Sequence, residues 1–150
     1  MLTDYLTPST INFAENVEGW RAAIALVAQP LLESGSITTE YVDSMTDSIA
    51  GGGTYIDLGF GIALAHSRPE DGVVRTGLSS LRVTPPVLLN DEAAHPIDQF
   101  FCLAAIDAKG HIETMQELAG LLSDDELRSE LLAAQTSAEV TAVLHKIGTP

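Results

Sequence analysis

The segment from Gly61 to Gly72 carries the clearest candidate for chemistry in this chain. The apolar run Gly61-Ile62-Ala63-Leu64-Ala65 stops at His66, and Ser67, Arg68, Pro69, Glu70, Asp71 and Gly72 follow at once. An imidazole at a strand end is presented at a surface, and Pro69 with Gly72 favours a turn that exposes it. The guanidinium of Arg68 adds planar, permanently charged donors for an anion. A residue that takes up a phosphoryl group and passes it on needs this equipment. The same spacing also fits a histidine that only makes surface hydrogen bonds.

The chain has 4 histidines. His145 stands beside Lys146 on the solvated side of the last predicted helix, and His95 lies in the polar loop Asp91-Glu92-Ala93-Ala94-His95-Pro96. Both read as surface residues. His111 follows Asp107-Ala108-Lys109-Gly110, directly after an apolar strand, and is expected to start a helix. A helix N-terminus offers unpaired amide donors and a partial positive charge, which suit a phosphate. An ordinary place in a first helical turn is the other reading. His66 and His111 both follow apparent central strands, and strand ends in an α/β sheet commonly converge on one site. If the imidazoles meet, one can attack while neutral and the other can donate to the incoming oxygens. Phosphoryl transfer asks for in-line positioning and charge stabilisation more than for covalent machinery.

Other chemistries leave weaker traces. Both histidines could bind a metal with Asp107 or Glu113, but there is no His-Glu-x-x-His pattern and no thiolate set. A Gly-x-Ser-x-Gly elbow is absent. Gly51-Gly52-Gly53 lacks the Lys-Ser/Thr of a nucleotide-binding loop and reads as a helix terminator.

The elements that must position these residues follow from periodicity. Thr10 to Ala14 reads as a strand, and Asn16 as the N-cap of a helix from about Val17. Trp20, Ile24, Val27 and Leu31 form its buried face. Pro30 predicts a kink or an early end, and Gly35 a C-terminal cap. A second helix from Thr39 turns Val42, Met45 and Ile49 inward. Thr54–Leu58, Gly61–Leu64, Gly77–Val83 and Asp98–Ile106 read as strands, the third ended by Thr84-Pro85-Pro86 and the last covered on both faces. From His111 on the chain reads as helical, with Ile112, Met115, Leu118 and Leu122 on one face. Leu127 and Leu131 face the core, as do Val140, Val143, Leu144 and Ile147. Capping-box spacing occurs at Ser123/Glu126 and Thr136/Glu139. This order favours a layered α/β domain with a mixed sheet.

With 150 residues, 45% of them hydrophobic, the chain suits one domain, residues 1–150, with its own core. The 7 Lys plus Arg against 21 Asp plus Glu give a net charge of -14, which repels nucleic acid and anionic membranes and favours a basic protein partner or plain solubility. No run is long enough to span a bilayer, and the N-terminus lacks the pattern of a secretory signal. Cys102, the only cysteine, excludes an internal disulfide, fits a cytoplasmic location and reads as a small buried hydrophobe.

The segment from Thr54-Tyr55-Ile56 through His66 and Arg68-Pro69-Glu70-Asp71-Gly72-Val73 to Thr76-Gly77 resembles the enzyme IIA components of the bacterial phosphotransferase system, mannitol/fructose class. Pro96-Ile97-Asp98, Leu103-Ala104-Ala105-Ile106-Asp107-Ala108 and His111 give a second match, and the layout carries it over nearly the whole chain. The Tyr55 region, Arg68-Pro69-Glu70-Asp71-Gly72 and Ala104-Ala105-Ile106-Asp107-Ala108 are most similar to the ascorbate-specific subgroup. Two positions depart from the family: Ala65 and Phe60 stand where proline is usual. The resemblance implies a three-layer α/β/α sandwich around a central mixed sheet. It implies that His66 accepts a phosphoryl group from HPr, through Nε2 in the family, and passes it to a cysteine of enzyme IIB, which works with a membrane IIC component for ascorbate or a related sugar. His111 would neutralise the phosphoryl oxygens, and Ser67 and Arg68 would bind them. The resemblance implies no metal or nucleotide cofactor and admits a homodimer; the lone Cys102, outside any loop motif, is expected to mean no fused IIB domain. Two alternatives stay open: a regulatory module that binds partners according to phosphorylation, and a diverged domain without phosphotransfer.

Overall fold

The computed structural model describes residues 2–146. Ile147, expected on the last helix's buried face, lies outside them. Helix α1 (Leu2–Tyr5) is followed by β1 (Ile11–Glu15), α2 (Trp20–Glu33), α3 (Thr39–Ala50), β2 (Asp57–Gly59), β3 (Ile62–Ala65), β4 (Gly77–Leu88), β5 (Pro96–Ala104), α4 (Ala108–Ser123), α5 (Asp125–Ala133) and α6 (Ser137–Leu144). The strands form one mixed sheet in the order β1-β4-β5-β3-β2. β1 runs parallel to β4 and β3 parallel to β5, while the β4–β5 and β2–β3 pairs are antiparallel.

Strand period and core agree closely. Along β5 and its continuation, Phe100, Cys102 and Ala104 pack under α2 and α3, whereas Phe101, Leu103 and Ala105 join the cluster with α1, α4, α5 and α6. β3 alternates likewise, with Ala63 and Ala65 on one side and Ile62 and Leu64 on the other. A strand buried on both faces loses its polar alternation, which explains the continuous apolar runs. The result is the three-layer α/β/α sandwich in a single domain. Cys102 is fully buried, and burial pushes its thiol up to about 12. Among the described residues no helix is long and apolar enough to cross a membrane.

Several boundaries differ from the expectations. Helix α2 starts at Trp20 behind Gly19, because Asn16 takes a left-handed φ of 55° and its N–H donates to Thr84 O at 2.8 Å, prolonging the β1–β4 ladder. The helix continues through Pro30 to Glu33. The proline removes only the N–H that would meet Leu26 O, and Leu26 is exposed, so water can satisfy that carbonyl. Gly35, φ 73°, closes the helix as expected: its N–H donates to Leu32 O and that of Ser36 to Leu31 O. In α3 the buried residues are Tyr41, Met45 and Ile49, with Val42 half-buried. Thr54–Ile56 is a 3-10 turn, which leaves β2 only three residues. β4 runs through Pro85 and Pro86 to Leu88, past a register shift between Arg82 and Val87 where a strand tolerates proline. Asp124, not Ser123, caps α5, accepting from the Glu126 and Leu127 N–H groups, while Thr136 caps α6 as expected.

Arg82 joins two layers. Its guanidinium donates to Leu131 O and Leu132 O at the end of α5 and to Gln99 Oε1 on β5, at 2.9, 2.7 and 3.1 Å. The loop after His66 docks on α3 through Gly72, whose carbonyl accepts the Thr38 N–H. Gly72 has a φ of 135°, and a Cβ there would stand 3.0 Å from Tyr41 N and overlap Thr38 Oγ1. Gly72→Ala is therefore expected to cost about 2–4 kcal/mol of stability through backbone strain and overpacking. Urea unfolding measures this, and an unchanged midpoint would show that the loop relaxes freely.

Candidate active site

Because β3 and β5 are parallel neighbours, their C-terminal ends leave the sheet side by side. His66 is the first residue after β3, and Asp107 follows β5 after a two-residue turn and opens α4. Asp107 caps that helix by accepting the Gly110 N–H at 2.7 Å. The helix therefore starts at Ala108, and His111 is its fourth residue instead of its first. One turn into the helix, its ring reaches toward β3. The His66 and His111 ring centroids lie 5.7 Å apart at an interplanar angle of 54°.

His66 is held in one orientation. Its Nδ1 lies 2.9 Å from Leu64 O. A carbonyl can only accept, so this contact is a hydrogen bond when Nδ1 carries the proton, and the neutral ring then keeps its lone pair on Nε2. Tyr55 stands edge-on to the same ring, centroids 6.4 Å apart. Burial, and secondarily the nearby His66, hold His111 below the ordinary histidine value.

The two imidazoles share a cleft of about 570 Å³ with Ser67, Arg68, Asp71 and residues of α3. Arg68 lines it, but its guanidinium is mostly solvent-exposed and paired with Asp71 (Nε–Oδ2 3.4 Å) and Glu70 (3.7 Å). Ser67 Oγ donates to Asp71 Oδ2 at 2.7 Å and lies 2.7 Å from Ser44 Oγ, which itself reaches Asp71 at 3.1 Å. Asp71 is thus the hub of the loop. The Ser67 hydroxyl, then Arg68 and Ser44, pull its carboxyl down to about 2. The Ser67 N–H donates to Tyr41 Oη at 2.9 Å, and Tyr41 Oη donates to Leu103 O on β5 at 2.6 Å. Burial raises the Tyr41 phenol well above the ordinary tyrosine range.

The sequence pattern finds His66, His111, Ser67 and Arg68 in one cleft. It misses Tyr41 and Ser44, because a single Tyr or Ser on an amphipathic helix carries no motif. It also misplaces Ile112, which is exposed, as are Ile106 and the cleft-lining Tyr55. His95 lies away from the cleft and pairs with Asp57, Nδ1–Oδ2 2.7 Å. His145 is exposed just after α6. Asp107, the one acidic residue beside His111 that lines the cleft, is turned to its own helix as the cap.

Comparison with known proteins finds similarity over nearly the whole chain. The family model described as "Phosphoenolpyruvate-dependent sugar phosphotransferase system, EIIA 2" matches residues 4–147. The chain is 32% identical to the mannitol-specific cryptic phosphotransferase enzyme IIA component of Escherichia coli K12, over 97% of this chain and 98% of the relative. It is 28% identical to the ascorbate-specific PTS system EIIA component of the same strain, over 91% and 90%. The solution structure of the cryptic mannitol component superposes with a TM-score of 0.88 at 30% identity, covering 97% of this chain and 98% of that one.

The paired imidazoles make a titration prediction. In His66→Gln the pKa of His111 is expected to rise, since the neighbouring charge is gone, yet to stay below about 6.5, since burial remains. Because the unfolded chain takes up that proton first, His111 makes folding less stable as pH falls below about 6.5. NMR titration of the imidazole C–H signals tests this, and an unmoved His111 would mean the two rings do not sense each other.

Proposed function

We propose, for a chain that belongs to the EIIA 2 family of the phosphoenolpyruvate-dependent sugar phosphotransferase system, that His66 accepts a phosphoryl group from the phosphohistidine of HPr and passes it to a cysteine of a cognate enzyme IIB. The observation that carries this reading is the pair of imidazoles lining one cleft at one sheet end, with His66 Nδ1 turned to Leu64 O, which leaves Nε2 as the nitrogen with the lone pair. Nε2 attacks phosphorus in line as the P–N bond of the donor breaks, and the donor imidazole leaves with that electron pair. In the second step the IIB thiolate attacks phosphorus, and Nε2 recovers its pair. Each step needs charge stabilisation at the phosphoryl oxygens more than proton transfer.

His111 supplies that stabilisation as a hydrogen-bond donor across the 5.7 Å between the rings. The N-terminal end of α4 adds a partial positive charge on the same side. Arg68 serves by leaving Glu70 for the phosphoryl group, a small movement for an exposed side chain. Ser67 contributes chiefly by holding the loop, because its hydroxyl proton is committed to Asp71. Exposed Tyr55 in the cleft, with exposed Ile106 and Ile112 next in the chain to the lining residues Asp107 and His111, supports a protein partner rather than a small molecule as the phosphoryl source. The carrier works in the cytoplasm between HPr and the IIB and membrane IIC components.

The cargo of the system, in this reading, is ascorbate or a related sugar, supported by the Arg68–Gly72 turn and the ascorbate-specific relative. Mannitol is the second reading, favoured by the cryptic mannitol relative. Uptake of labelled ascorbate and mannitol in cells with and without the gene separates the two.

Phosphorylation from phosphoenolpyruvate through enzyme I and HPr is expected to label the wild type with acid-labile, base-stable phosphate and to leave His66→Ala unlabelled. His111→Ala is expected to accept label but to transfer it onward on the order of a hundredfold more slowly. Arg68→Ala should slow acceptance about tenfold. Label retained in His66→Ala would move the acceptor elsewhere, and full onward transfer by His111→Ala would remove its assigned role. Phosphorylation of His66 should also raise the pKa of His111, the reverse of the unphosphorylated direction, because the neighbour becomes an anion.

A further inference from the structure

The orientation of His66 depends on backbone that the sheet does not hold. β2 pairs with β3 only as far as Ala63, and the β3–β5 register ends at Ala65 and Cys102. Ala65 leaves the chain before the imidazole with ordinary torsional freedom. Directly past His66, the Ser67 N–H donates to Tyr41 Oη at 2.9 Å. Tyr41 can hold it there because it is itself immobile. Its side chain is 0% exposed, and its hydroxyl proton goes to Leu103 O, a carbonyl of the neighbouring strand, at 2.6 Å. The phenol thus carries a fixed point of the sheet out to the residue after His66. A second tie grips the same residue through its side chain, where Ser67 Oγ meets Ser44 Oγ and Asp71.

We propose that Tyr41 is a positioning residue for His66, holding the backbone at Ser67 so that His66 Nδ1–H reaches Leu64 O, and thereby deciding which ring nitrogen is free to take the phosphoryl group. Phosphorylation on Nε2 requires the neutral ring to carry its proton on Nδ1. That tautomer is kept here by one short-range contact, Nδ1 to the carbonyl of Leu64 two residues earlier, at 2.9 Å. The contact tolerates little drift at His66, because hydrogen bonds weaken steeply with distance and angle. Ser44 is an auxiliary to the same end. This role rests on the reading of His66 as the phosphoryl acceptor.

The test is the tautomer of His66 in the intact, unphosphorylated protein, read from imidazole ¹⁵N shifts at about pH 8.5, where histidine side chains are neutral. The wild type is expected to hold the proton on Nδ1. Tyr41→Phe keeps the ring and removes only the hydroxyl, and it is expected to shift the His66 ratio toward the Nε2–H form by about fivefold, the worth of one ordinary hydrogen bond. His95, held by Asp57 away from the cleft, should not change. The label from phospho-HPr, observed by ³¹P NMR, should then divide between the two ring nitrogens. Ser44→Ala is expected to give a smaller shift in the same direction, and it is the deciding variant where Tyr41→Phe does not fold. An unchanged His66 ratio in the folded variant overturns the proposal, even with phosphorylation intact. A shifted ratio in the variant, with a wild type that takes no label at all, would overturn the phosphocarrier reading and leave the positioning of His66 standing.

Discussion

The parallel pairing of β3 with β5 is the constraint on which the rest depends. Two parallel neighbours end on the same side of the sheet, so the segments that follow them must emerge together. Were this pair antiparallel, His66 and His111 would leave the sheet at opposite ends. The pairing is possible because both strands are buried on both faces, which required a helical layer on each side. The three-layer architecture is therefore what allows the two imidazoles to meet.

Around that meeting point the chain is sparing with positive charge. Its 7 Lys plus Arg serve 150 residues. In the cleft, Arg68 is the one guanidinium among the lining residues, and a carboxylate restrains it. Asp71 would repel a phosphate if it faced one naked. Here its oxygens are occupied by Ser67, Ser44 and Arg68, which turns a liability into the anchor of the loop. The low carboxyl pKa that results keeps this anchor charged throughout the ordinary pH range.

Legibility in the sequence followed the range of the interactions. Apolar runs and helical spacing located the central strands and the faces of α2, because burial on a single element writes itself locally. Capping at Thr136 and the close of α2 at Gly35 were equally local. Errors arose where a distant partner decided. Asn16 was drawn into the β1–β4 ladder by Thr84, β4 outlasted its two prolines through a register shift, and Ile112 was left outside by the direction in which α4 packs. At the site, His66 and His111 stood out because histidines at strand ends are few. Tyr41 did not, for its work is done by one hydroxyl across a separation of 26 residues.

The half-buried Arg82 has a consequence for how the molecule comes apart. Its charge satisfies carbonyls at the end of α5 while its stem belongs to β4. Peeling α5 from the sheet would break those charge-assisted hydrogen bonds, each worth about 1.5–3 kcal/mol. The closing helices are thereby bound into one cooperative unit with the strands that carry the cleft. Slow amide exchange should consequently run together through β4, β5 and α5.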